Sequence, residues 1–186
     1  RMCHIGLMNE TRNPDVLWQV LIDLCNEEDG FSDNLEIVLA GNVSSYVIEK
    51  LETGILAKNL VNRGFIAHSD VFELYQNSYI LLLLLNQTDN AKWILPAKLF
   101  EYLQTGKYVL ALGPLESDAN DILKALELDT FVGFNNYDQI KGRMTNLYMK
   151  FKDNQLPEPL KEIGQYTRRQ LAVDLATLLN EVIAEA

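Results

Sequence analysis

Positive charge is scarce in this sequence: 16 lysines and arginines stand against 26 aspartates and glutamates, a formal net charge of -10 at pH 7. A nucleic-acid binder needs a basic face, and docking on anionic lipid needs a basic cluster. Neither nucleic acid nor membrane is therefore expected as a partner. A local phosphate site is still allowed, because the free N–H groups of a helix N-terminus hold an anion against the global field. Cysteine is scarcer still. Cys3 and Cys25 fall on segments that read as regular structure and lack metal-ligand spacing, so buried, reduced thiols in a cytosolic protein are expected, without a zinc site. The longest purely apolar run, residues 79–85, is far too short to span a bilayer. No signal-peptide pattern opens the chain; it begins at Arg1 and goes straight into a strand, as expected of a fragment with further sequence upstream. No G-x-G-x-x-G comes after the first strand, which disfavours a nicotinamide or flavin cofactor. No Ser–His–Asp or Cys–His arrangement can be assembled, and repeats and low-complexity tracts are missing.

What is present is an apolar fraction of 48%, enough to bury a proper core in one domain of 186 residues. Strand and helix signals alternate throughout. Strands are predicted at residues 3–7, 35–40, 60–64, 79–85, 108–112 and 130–134. Helices are predicted from near Asn13 (Pro14 in the first turn), over 43–53, after His68-Ser69-Asp70, over 95–104 with Pro96 in the first turn, over 117–126 and over 137–152. The run at 79–85 has no alternation, which suits a strand covered on both faces. Residues 154–159, with two prolines, read as a linker, and 160–184 as one long amphipathic helix with room for a kink at Gly164, most of its leucines packing on its own domain. The expected architecture is a Rossmann-like α/β domain, a parallel sheet of about six strands with helices on both faces, plus a long C-terminal helix. Residues 1–153 would form the core and 154–186 the linker and final helix.

In such sheets ligands lie beyond the carboxyl ends of the strands, near the point where strand order switches. The loops at 6–13, 41–43, 64–68 and 86–96 should converge there, with 113–118 as a fifth. In the first, Gly6 can admit a ligand to the backbone and Arg12 can grip phosphate; Arg12 reads equally well as a solvated loop arginine. In the segment Leu95-Pro96-Ala97-Lys98-Leu99-Phe100-Glu101-Tyr102-Leu103, the residues Leu95, Leu99, Phe100 and Leu103 form one apolar face. Lys98 and Glu101 fall three apart on another side, where they can neighbour each other. The helix start can hold a diphosphate and Glu101 can accept hydrogen bonds from a ribose diol; on spacing alone a plain surface Lys–Glu pair is the better reading. Trp93 reads as a stacking platform or as a loop anchor. His4 reads as a structural strand residue and His68 as polar surface at a helix entry.

The run Pro96 to Leu103, then Gly106-Lys107 and Val109-Leu110-Ala111, resembles the P-x-K-x-x-E-Y-hydrophobic block of GT-B glycosyltransferases, in particular the retaining family 4 group. The opening Ile5-Gly6-Leu7 with Arg12-Asn13-Pro14 and the block Asn62-Arg63-Gly64-Phe65-Ile66 are similar to the start and middle of their donor domain. The resemblance covers essentially the whole chain. It implies a domain that binds a nucleoside-diphosphate sugar, with UDP or GDP as the nucleotide, for transfer with retention and without a metal or other cofactor. It also implies an acceptor held by an N-terminal domain missing from this chain, toward which the closing helix returns. By this resemblance Glu101 holds the ribose hydroxyls, Arg12 and Lys98 attend the diphosphate beside the amides of Leu95, Pro96 and Ala97, and Ile66 belongs to the loop that lines the base. Trp93 stands where many members carry a second glutamate on the transferred sugar, Leu7 where many have arginine, and Asn13 where lysine is frequent. Two other readings stay open: one half of a nucleotide-sugar epimerase, and a non-catalytic α/β interaction domain. No catalytic acid or base is assigned.

Overall fold

The structure, a computed structural model, describes residues 1–155 and 163–184. Six strands, β1 (Met2–Ile5), β2 (Ile37–Ala40), β3 (Leu60–Gly64), β4 (Ile80–Leu84), β5 (Tyr108–Leu112) and β6 (Phe131–Val132), form one parallel sheet in the order β3-β2-β1-β4-β5-β6. The helices are α1 (Asp15–Glu27), α2 (Phe31–Asn34), α3 (Ser45–Glu52), α4 (His68–Gln76), α5 (Ala97–Gln104), α6 (Asp118–Ala125), α7 (Tyr137–Lys152) and α8 (Arg168–Ala184). One face of the sheet is covered by α1, α2, α3 and α7, the other by α4, α5 and α6.

The period of the strands explains this two-sided burial. In β4, Ile80, Leu82 and Leu84 point into the cluster with Trp18, Leu21 and Ile140, while Leu81 and Leu83 point into the cluster with Tyr75, Leu99 and Tyr102. All five β4 residues are buried, so a run without alternation is what this position needs. The amphipathic helices obey the same logic. Leu17, Val20, Leu21 and Leu24 of α1 bury one stripe, and α5 buries Leu99, Tyr102 and Leu103.

The strand order reverses between β1 and β4. These neighbours pair only at Met2↔Ile80 and Cys3↔Leu81, whereas β4 and β5 pair along all of β4. Beyond Cys3 the pairing stops, and the buried His4 ring bridges the two strands, its Nδ1–H donating to the Leu82 carbonyl at 2.9 Å. The crevice expected of a doubly wound sheet therefore opens here.

Several boundaries differ from the sequence-based expectation. β1 ends at Ile5, not Leu7, because Gly6 turns out of the strand at φ +122°. A short helix, α2, precedes β2 and delays its start to Ile37. α5 starts at Ala97, with Pro96 as its N-cap and Leu95 outside it. β6 keeps two of the five residues expected, as the edge strand beside β5. Cys3 is buried as expected, but Cys25 is only half-buried. The linker expected at 154–159 and the helix start at 160 fall largely outside the described residues. The C-terminal segment is not one helix kinked at Gly164: a 3-10 turn, Gly164–Tyr166, ends at Thr167 and α8 begins at Arg168. The expectation that its leucines pack on their own domain is also overturned. Leu171, Leu175, Leu178, Leu179, Val182 and Ile183 are all more than half exposed. Only the lead-in is docked, through Ile163 and Tyr166, the latter against Phe100. Among the described residues, no helix is long and apolar enough to cross a membrane.

Candidate functional site

Because every strand runs the same way, the loops after β1, β2, β3, β4 and β5 all emerge at one edge, as the loop spacing predicts. The loops after β1 and β4 flank the switch point, and they are stitched together there. Arg12, the last residue of a 3-10 turn, donates from Nε to Asn86 Oδ1 at 2.5 Å. The Gln87 N–H donates to the Thr11 carbonyl at 2.7 Å, and its side-chain amide donates to the Asn13 carbonyl at 3.1 Å. Asn13 is itself buried; its Oδ1 accepts from Trp18 Nε1 at 2.7 Å and its Nδ2 donates to Asp15 at 2.9 Å. That residue anchors the start of α1 rather than pointing at a ligand.

The β1 and β2 loops are held even closer. Gly6 N–H donates to Ala40 O at 2.7 Å, and Gly41 packs its Cα against the Gly6 backbone so tightly that an added Cβ would lie 2.8 Å from Gly6 Cα. Both have positive φ, where glycine is favoured. Lys98 covers the other side of Gly6. A methyl group on Gly6 would overlap its Nζ.

These elements enclose a cavity of about 180 Å³ lined by Arg12, Asn86, Ile94, Pro96, Ala97 and Lys98, floored by the end of β4. The N-terminus of α5 opens into it. Its N-cap, Pro96, offers no side-chain hydrogen bond to the first turn. The two cations face each other across the space. Burial, and then the charge of Arg12, lower the Lys98 ammonium from its usual value, with Glu101 opposing them. Neither Arg12 nor Lys98 has a carboxylate within ion-pair distance among the described residues. Two half-buried like charges with no carboxylate in direct contact are unfavourable, and a bound anion relieves both. Beneath them His4 is held neutral: burial first, and also Lys98 and Arg12, lower it to about 4.

The other expected site residues distribute unevenly. Gly6, Pro96, Lys98 and Arg12 come together as anticipated. Glu101 lies one turn further along α5, close enough to act electrostatically on Lys98, but the two form no ion pair. Lys98 turns toward Gly6 and Arg12, and Glu101 accepts instead from the Tyr75 hydroxyl of α4 at 3.2 Å. Leu95 is not on the packed face of the helix; it is 44% exposed in the loop before it. Trp93 is exposed at the end of the 3-10 turn Asp89–Trp93, with Lys92 Nζ 5.0 Å above one ring face. Ile66 packs half-buried against the α4–α5 face, while its neighbour Phe65 is 85% exposed. His68 is exposed at the start of α4. Asn86, Gln87, Tyr75 and the bridging role of His4 join the site without having been expected from the sequence. Asn86 and Gln87 had a readable signal, two polar amides directly after the apolar run of β4; Tyr75 had none, since helical spacing reads it simply as core.

No family model matches the chain, and no curated protein matches it in sequence. Solved structures match it in shape. TarM superposes with a TM-score of 0.65 at 13% identity, over 96% of this chain and 34% of TarM. The pneumococcal O-GlcNAc transferase GtfA, in complex with UDP and GlcNAc, gives 0.55 at 12% identity over 83% of this chain and 29% of its own. The UDP-forming α,α-trehalose-phosphate synthase of Burkholderia vietnamiensis gives 0.57 at 8% identity over 80% and 37%. The chain thus spans about a third of the length of these proteins. At such identities the likeness is one of fold: this chain has the Rossmann-like α/β architecture found in GT-B glycosyltransferases.

Proposed function

We propose that this chain is the donor-binding part of a glycosyltransferase, a domain that holds a nucleoside-diphosphate sugar while an acceptor is presented by a further domain outside the chain. The observation that carries the reading is the cavity at the switch point, where Arg12, Lys98 and the uncapped start of α5 converge with no carboxylate in ion-pair contact with either cation among the described residues. A diphosphate there takes both cations and the first-turn amides of Ala97 and Lys98. As the sugar's anomeric bond breaks, negative charge grows on the departing diphosphate, and fixed cations and amides stabilise that charge more than they stabilise the ground state. Glu101, further along the same helix, lies on the side where the pentose adjoining the diphosphate would reach. Trp93 and Phe65 offer exposed aromatic faces at the same edge for sugar and base. The exposed apolar side of α8 is the surface on which the acceptor domain would pack. The transferase solved with UDP and GlcNAc on this architecture supports the ligand class.

Calorimetric titration with uridine and guanosine diphosphates tests the reading. Binding of one of them is expected, weakened about tenfold or more by Arg12→Ala, as befits loss of a charge-assisted contact, and weakened also by Glu101→Ala. Absence of binding at millimolar nucleotide, with Arg12→Ala and Glu101→Ala indistinguishable from the parent chain, would sink it and favour a non-catalytic interaction domain.

A further inference from the structure

Glu101 is held not by the lysine one turn before it but by a phenol from another helix. Tyr75 lies near the end of α4 and is 4% exposed. Its ring meets Tyr102 of α5 edge to face, with centroids 5.1 Å apart and planes at 78°. Tyr102 is wholly buried, so the pair is locked in the core between the two helices. Helical side chains lean toward their helix's N-terminus, and α4 begins at the ligand edge, directly after the β3 loop. The Tyr75 hydroxyl is thereby carried toward that edge, where it donates to Glu101 Oε2 at 3.2 Å. Burial, and then the neighbouring Glu101 charge, push the phenol up from its usual value, so it remains a donor. Glu101 Oε1 takes no hydrogen bond among the described residues.

A glutamate on an exposed helix surface samples many rotamers, and ordering it on ligand binding opposes association. A buried, rigid donor removes much of that cost in advance. We propose that Tyr75 is a positioning residue for nucleotide recognition: its hydroxyl fixes one oxygen of Glu101 so that the other meets the hydroxyls of the bound pentose. This rests on the donor-binding reading above and adds to it the element that makes the site selective for ribose over a deoxygenated sugar.

The test is a calorimetric comparison of uridine diphosphate with 2′,3′-dideoxyuridine diphosphate, and of the guanosine pair in parallel, on the parent chain, Tyr75→Phe, Glu101→Ala and the double variant. Tyr75→Phe keeps the ring and its contact with Tyr102, and thermal melting checks that it folds as the parent does. The parent is expected to prefer the ribonucleotide. Tyr75→Phe should weaken the ribonucleotide about fivefold, the size of one ordinary hydrogen bond, and leave the dideoxy compound within about twofold. On the Glu101→Ala background Tyr75→Phe should add no further loss, because the two residues act in series. A merely structural tyrosine would move both nucleotides together. If Tyr75→Phe lowers both equally, or leaves the ribose preference intact, the positioning role is overturned while donor binding stands. If the parent binds none of the nucleotides, the donor-binding reading and this inference fall together.

Discussion

Replacing Gly6 by alanine tests the packed floor of the crevice. Gly6 adopts φ +122°, and a non-glycine residue forced into such a region loses about 1–3 kcal/mol. The new methyl would also overlap Lys98 Nζ. The far end of a lysine escapes by changing rotamer, on the order of 1 kcal/mol, so the backbone supplies the larger share. Together they destabilise the domain by roughly 2–4 kcal/mol. A chain of this size loses roughly 2–4 °C of Tm per kcal/mol, so a fall of about 4–16 °C is expected, with the domain still folded. Affinity for uridine or guanosine diphosphate should fall as well, because the displaced ammonium no longer faces Arg12. The matched control is Gly106→Ala. Gly106 has φ +67°, nothing lies within 4 Å of an added Cβ, and it is remote from the crevice at the end of α5. There only the backbone suffers, by about 1–2 kcal/mol, and nucleotide affinity should not change. Urea denaturation and calorimetry on both variants decide the matter. A Gly6→Ala variant no less stable than Gly106→Ala, binding nucleotide as tightly as the parent, would rule out a packed floor formed by Gly6 and Lys98.

His4 titrates at about 4 in the fold, lowered by burial and by Lys98 and Arg12, against an ordinary value of 6.5. Between these values the unfolded chain holds the extra proton, so stability should be lost as pH falls through that window, by about 3 kcal/mol in all. Urea midpoints at pH 7 and pH 4.5 should show this loss, and His4→Asn should flatten it; an unchanged loss in the variant would assign it to other groups. In α8, replacing both Leu175 and Leu178 by aspartate should shift unfolding stability by less than about 0.5 kcal/mol, because both are more than half exposed. A destabilisation above about 2 kcal/mol in urea denaturation would show instead that they pack in the core.

Much of the site was legible because its residues are local to two loops. Gly6 and Arg12 come after one strand, and Pro96 and Lys98 after another; both loops lie at the carboxyl edge of any parallel sheet, whatever the strand order. What the loops hold on to was not legible. Arg12 reaches Asn86 across 74 residues of sequence, and His4 reaches Leu82 across 78. Tyr75 and Glu101 come from different helices and meet only because α4 and α5 share a face. Spacing placed Lys98 and Glu101 within reach of each other, yet Lys98 covers Gly6 and Glu101 accepts from Tyr75 in place of an ion pair.

The amino-acid order by itself determined the elements: the unbroken apolar run that becomes β4, the bounds of β3, β5 and α7, and the alternation that demands a parallel sheet. These depend on side-chain period and backbone preference, which are properties of short segments. Strand order, the meeting of β1 with β4, the two cations confronted across the cavity and the exposure of α8 were decided by tertiary structure alone. Each depends on which distant surfaces are buried together, and a hydrophobic stripe such as that of α8 reads the same in sequence whether or not anything covers it.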